Sequence, residues 1–154
     1  MIKKLSTMLF ITNLGFAATT GTLLLQGSIP TSTNITVTGV SPFNNLNLTT
    51  TQSDLLVANV QEQNNTALGY KVTIASANTG KLKNGSVGSI NYTAKYNGTA
   101  FTLSTTPVTV TNVTSQTTVT NITKPLTISY TGVTPASMMA GTYSDTLTLA
   151  IAAN

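Results

Sequence analysis

Few side chains in this sequence could do chemistry: three carboxylates, Asp54, Glu62 and Asp145, and seven lysines, with no His and no Cys in 154 residues. Two carboxylates in unlike surroundings can divide general acid and general base duties between them. Asp54 and Glu62 are the pair that could meet, but a pair drawn from only three acids is a weak signal. Asp145 stands among apolar neighbours, where a carboxylate capping backbone donors near a strand's start is expected rather than a catalytic acid. No imidazole is available as a base and no thiolate as a nucleophile. A transition-metal set is missing for the same reason, and no run has the oxygen-ligand spacing of a calcium loop. A buried acid beside one of the lysines and an Asn could promote an isopeptide bond, which is the one covalent possibility. The expectation is a non-enzyme with no cofactor and no metal.

The rest of the composition describes a surface. Charged residues make up 6% of the chain, against about a quarter in an ordinary soluble protein. Thr alone supplies roughly a fifth of the residues, so polarity comes from neutral hydroxyls and amides. The lysines are scattered, which argues against nucleic-acid binding. Apolar residues reach 40% and alternate regularly, so the chain should fold. The tyrosines Tyr70, Tyr92, Tyr96, Tyr130 and Tyr143 lie at strand spacing, where core or sheet-surface roles outweigh a sugar-binding one.

The N-terminus reads as a separate unit. Lys3 and Lys4 precede an apolar run from Leu5 to Gly15, and Phe16-Ala17-Ala18 offers small residues for cleavage. This pattern predicts a cleaved signal peptide over residues 1–17 and export from the cytoplasm. The run is far shorter than the roughly 20 residues a stable membrane anchor needs. Beyond it, five lysines face the three acids, a net charge of +2.

These sparse groups must be positioned by strands. Ile35 with Val37, Tyr70 with Val72 and Ile74, and Ile90 with Tyr92, Ala94 and Tyr96 recur with period two. Phe101 with Leu103, Val108 with Val110, and Leu126 with Ile128 and Tyr130 do the same. Asn97-Gly98 between two such runs predicts a type I′ hairpin, and Gly80 and Asn84-Gly85 mark further turns. The prolines are expected at strand starts or in connections. One helical turn is predicted over Thr134–Ala140. The fold class is therefore all-β, an immunoglobulin-like sandwich.

Two stretches carry the functional signal. In Thr20–Pro30 the odd positions are Gly21, Leu23, Leu25, Gly27 and Ile29, an apolar face interrupted by glycines. In Gly141–Asn154, Tyr143, Leu147, Leu149 and Ile151 share a side. The pattern Gly141-x-Tyr143-x-Asp145-x-Leu147-x-Leu149-x-Ile151 resembles the terminal strand of chaperone–usher pilus subunits, notably the spore coat protein U-like, archaic branch. Gly21–Gly27 resembles the N-terminal extension of those subunits, and Gly69–Ser76 resembles one of their central strands.

The resemblance implies an incomplete sandwich that lacks its last strand and is completed by donor-strand exchange. It divides the chain into the signal peptide at 1–17, an N-terminal donor extension at 18–30 and an immunoglobulin-like pilin domain at 31–154. Leu23, Leu25, Gly27 and Ile29 would be the donor residues. Tyr143, Leu147, Leu149 and Ile151 would line the acceptor groove. The implied partners are neighbouring copies in a head-to-tail homopolymer, a periplasmic chaperone and an outer-membrane usher. The implied product is a surface fibre, reached through the periplasm, for adhesion or biofilm formation. A secreted monomeric β-sandwich, serving as an adhesin or carbohydrate-binding module, is the alternative; it would use residues 18–30 as a permanent edge strand of its own.

Overall fold

A computed structural model describes residues 20–154; the predicted signal peptide, with Ala18 and Thr19 of the extension, lies outside them. Nine strands follow in order: β1 (Thr33–Gly39), β2 (Gln52–Asn64), β3 (Tyr70–Ser76), β4 (Lys81–Asn84), β5 (Gly88–Tyr96), β6 (Thr99–Phe101), β7 (Val108–Val113), β8 (Thr120–Tyr130) and β9 (Leu147–Ala153). One sheet has the order β1-β2-β8-β5-β4, with β6 on β5, and the other the order β7-β3-β9. The described residues hold no helix. At Thr134–Ala140 the expected helical turn is a single turn closed by Ser137 N–H on Thr134 O (2.9 Å), and Pro135 supplies no further donor.

The two layers pack through the alternating apolar faces that the period of two predicted. Val60, Tyr92, Ala94, Leu126 and Ile128 of the larger sheet meet Ile74 of the smaller one, with Leu147 and Leu149 packed alongside. Tyr70, Tyr92, Tyr96 and Tyr130 are all buried, so four of the five tyrosines are core residues. Asn97 and Gly98 both take positive φ, 48° and 80°, and join β5 to β6 with Tyr96 opposite Thr99, as the hairpin signal required. Gly69 enters β3 at φ 78°, where a Cβ would strike the Val113 carbonyl.

Two features depart from expectation. The longest strand, β2, is absent from the alternating runs, because register shifts at Gln52/Leu55 and Leu56/Ala58 break its period. Its far half also points polar Glu62 and Asn64 inward. Pro125, expected at a strand start or in a connection, lies inside β8 opposite Asn59. Its carbonyl accepts from Asn97 N–H (2.9 Å), just past the last β5 pairing, Tyr96 with Leu126. The missing N–H faces that same side, beyond the end of the ladder, and no strand bond is lost.

Outward residues of β1, β2 and β8 form a neutral amide array. Asn34 Nδ2 donates to Gln63 Oε1 (3.4 Å), while Gln61 and Gln63 donate to Asn121 Oδ1 at 2.8 and 3.4 Å.

Candidate functional site

Along one side of the sandwich β1 and β9 approach within 8 Å of each other without hydrogen bonding. Ala77 N–H donates to Thr146 O and Asn154 N–H to Gly69 O. In the uninterrupted register of β3 with β9, the even-numbered residues of β9 therefore bond β3. The backbone groups of Leu147, Leu149 and Ile151 point the other way, since alternate residues of a strand turn to opposite edges. The same logic holds on β1: Val40 N–H bonds Val57 O and Asn65 N–H bonds Ser32 O, so Ile35 and Val37 turn their backbone groups away from β2. No described strand pairs with either edge.

Between these edges lies an apolar groove of about 430 Å³. Val37 and Gly39 form one wall, Leu147 and Leu149 the other, and Val57, Ala58, Leu126 and Ile128 the floor. The floor residues belong to the core, so the groove opens directly onto the interior. At one end Asp145 accepts four hydrogen bonds: Ser76 Oγ at 2.6 Å, Tyr92 OH at 2.7 Å, and the N–H groups of Asn78 and Thr146 at 2.9 and 2.7 Å. That is the structural capping role expected of it, and it ties the start of β9 to β3 and β5. Burial first, then the bond to Asp145 and its charge, push the Tyr92 phenol above its ordinary value.

Of the predicted groove residues, Leu147 and Leu149 line it. Ile151 lies farther along the same half-buried face of β9, beyond the lining residues. Tyr143 is elsewhere: it precedes β9, donates its hydroxyl to Met139 O (2.8 Å) and packs near Gly88 and Met138. The burial alternation of β9 runs on through Asp145 to Tyr143, but at Ser144 the N–H and C=O pair with Lys83 of β4 instead of with β3, which sets Tyr143 beside β4 and β5, past the Asp145 end of the groove. The wall and floor residues from β1, β2 and β8 were missed, because only the tertiary arrangement brings them to β9.

The predicted donor residues are in no strand. Leu23 is 82% exposed, Leu25 85% and Ile29 88%, and a Cβ on Gly27 would meet nothing within 4 Å. Residues 20–32 add no strand to either sheet.

No protein-family model matches the chain, and no curated protein does.

The acid pair considered from the sequence does not form. Asp54 is at the surface with Lys95 (2.8 Å). Glu62 has no exposed surface, and Lys124 Nζ lies 2.8 Å from its Oε2. Tyr70 OH donates to Oε2 at 2.7 Å, while Tyr96 OH and Thr111 Oγ1 donate to Oε1 at 2.6 and 3.0 Å. Burial by itself would raise the Glu62 pKa. The bonds from Lys124, Tyr96 and Tyr70, with the lysine's charge, overcome that and hold it below the ordinary glutamate value. Lys124 bonds Glu62 and Thr111 Oγ1 rather than an asparagine, which is not the arrangement an isopeptide bond requires. The cluster links β2, β5 and β8 of one layer to β3 and β7 of the other.

Proposed function

We propose that this chain is a non-enzymatic structural subunit of an extracellular surface fibre, polymerised by donor-strand complementation for adhesion or biofilm formation. In this reading the domain is an immunoglobulin-like sandwich lacking one strand, and the groove between β1 and β9 is the acceptor. The observation that carries it is a pairing of complementary parts. An apolar groove bounded by two unpaired strand edges occurs in the same chain as an exposed, alternating apolar segment that pairs with nothing. The run from Gly21 to Ile29 is long enough to lie along the whole of the seven-residue β9. Seating Leu23, Leu25 and Ile29 on the groove floor, at about 1.5–3 kcal/mol each, contributes roughly 5–9 kcal/mol before ordering costs. The edge groups of Ile35, Val37, Leu147 and Leu149 gain ladder partners as β1 and β9, which come within 8 Å of each other in the free domain, part to the roughly 9–10 Å that an inserted strand needs.

A segment from one copy in the groove of the next is a head-to-tail contact. It leaves a free groove at one end and a free segment at the other, so it propagates into a filament. Unpaired edges beside an open core are an aggregation hazard. A periplasmic chaperone that fills the groove before assembly, and an outer-membrane usher where the exchange takes place, are the partners this scheme calls for. A complete secreted monomer would draw residues 18–30 into its own sheet, and residues 20–30 are in neither sheet.

Binding of a synthetic peptide of residues 20–30 to the domain without that segment tests the scheme. Leu149→Asp sets a charge on the groove wall, where seating the peptide would bury it, so affinity should fall by at least 100-fold at a temperature where both domains are folded; because Leu149 also packs against the core, the free variant domain should melt below wild type. Equal affinities for the two domains would overturn the assignment. Gly27→Leu probes the donor side. Its Cβ has open space in the free chain, so melting stays unchanged. Glycine inside an apolar strand marks close approach to a neighbour, so filament growth should slow at least tenfold. Growth at the wild-type rate would show that position 27 faces no shallow part of the groove.

A further inference from the structure

Residues 20–29 leave the domain through a bracket built from two asparagines just past and at the end of β2. Asn65 Nδ2 donates to Pro30 O (3.0 Å), and Asn65 Oδ1 accepts from Ser32 N–H (2.7 Å). The Asn65 N–H donates to Ser32 O (3.1 Å). One residue thus holds three backbone groups of the exit. Asn64 is buried beside it and accepts from Thr33 Oγ1 (2.8 Å), while its own amide donates to Thr66 O (3.2 Å). Gln116 Nε2 closes the bracket from a third side by donating to Asn64 O (3.0 Å).

The sequence stiffens the point just upstream. Pro30 fixes its own φ and confines Ile29 to extended backbone. A polar connection such as Pro30-Thr31-Ser32 would otherwise swing about two soft dihedrals at each non-proline residue.

We infer that the Asn65 bracket and Pro30 clamp the exit of the segment in one direction, so that two domains joined through residues 20–29 are held at a fixed angle instead of swinging on a tether. The inter-domain part rests on the reading that one copy's segment occupies the next copy's groove; the clamp is a property of a single copy. Ile29 is the last residue of the apolar face and Pro30 the first residue held by Asn65. Once the segment is seated, no freely rotating residue is left between the two domains.

The chain has no cysteine, so spin labels can be placed at Ser28→Cys and Thr93→Cys alone. In the monomeric chain, pulsed dipolar spectroscopy should give one narrow distance distribution. Asn65→Ala should broaden it at least twofold, and Asn65→Asp, which keeps the acceptor for Ser32 N–H but loses the donor to Pro30 O, should fall between. A broad distribution in the parent, or the same narrow one in Asn65→Ala, overturns the clamp. In filaments imaged by electron microscopy, Asn65→Ala should shorten the persistence length several-fold at unchanged affinity for the 20–30 peptide. Equally straight Asn65→Ala filaments would overturn the inter-domain part. Absence of filaments from the unmutated chain would remove the occupancy reading and the inter-domain part with it, while the monomer distances still decide the clamp.

Discussion

On the donor-strand reading proposed above, a chain lacking residues 20–29 should fold with an unchanged melting temperature and form no filament of its own. The first half follows from packing. Leu23, Leu24, Leu25 and Ile29 are more than four-fifths exposed, and residues 20–29 are in neither sheet. Pro30 and Ser32, which Asn65 holds, stay in place. The second half follows from the asymmetry of the contact: the truncated copy keeps its groove but has nothing to insert. It can still accept the segment of an intact copy. In a mixture it therefore takes up the free segment at one filament end and stops growth there, with at most one truncated copy per filament. Electron microscopy should show mean length falling as the truncated fraction rises. Filaments of ordinary length grown from the truncated chain alone would end the donor assignment.

The second large effect belongs to the cluster around Glu62. Glu62→Gln should destabilise the domain by about 3–5 kcal/mol, because it leaves the Lys124 ammonium partly buried without its counter-charge. Tyr70 OH and Lys124 Nζ both donate to Oε2; an amide nitrogen there would face the ammonium, which cannot accept, and would force the Tyr70 hydroxyl to turn from donor to acceptor. At about 2–4 °C per kcal/mol for a chain of this size, the melting temperature should fall by roughly 6–20 °C. The pH dependence gives a sharper check. Glu62 has a folded pKa below its ordinary value. Its contribution is therefore present above the unfolded value of about 4.3 and is lost as pH falls through the lower folded one. The gap between wild type and Glu62→Gln should be widest near neutrality and should close in acid, where the wild-type side chain is itself uncharged. A gap that persists unchanged to about pH 2 would show that ionisation of Glu62 is not its source.

Legibility in the sequence followed locality. The β5–β6 hairpin was legible because Asn97-Gly98 determines backbone conformation within two residues. The faces of β3 and β5 were legible because each keeps an unbroken period of two. β2 was hidden by its register shifts and by Glu62 and Asn64, inward polar residues whose partners come from other strands. The same limit applies to the groove. Leu147 and Leu149 declare themselves through alternation, but that alternation runs on to Tyr143 and says nothing of the change of partner at Ser144, from β3 to β4, that sets Tyr143 past the end of the groove. Val37, Val57, Leu126 and Ile128 reach the groove from three strands far apart in sequence. The exposed apolar face of Gly21–Ile29 was readable for the opposite reason: a segment that pairs with nothing in its own domain displays its pattern undistorted.

The amide array across β1, β2 and β8 has a consequence for ionic strength. Asn34, Gln61, Gln63 and Asn121 satisfy one another without any formal charge. Between about 0.01 M and 1 M salt the Debye length shrinks from about 30 Å to about 3 Å, which reorders contacts between charged surfaces. The array itself gives that screening nothing to act on, while the exposed Asp54–Lys95 pair on the same outer side of the sheet does respond to it. Contacts confined to the array should therefore depend less on salt than contacts that reach the ion pair.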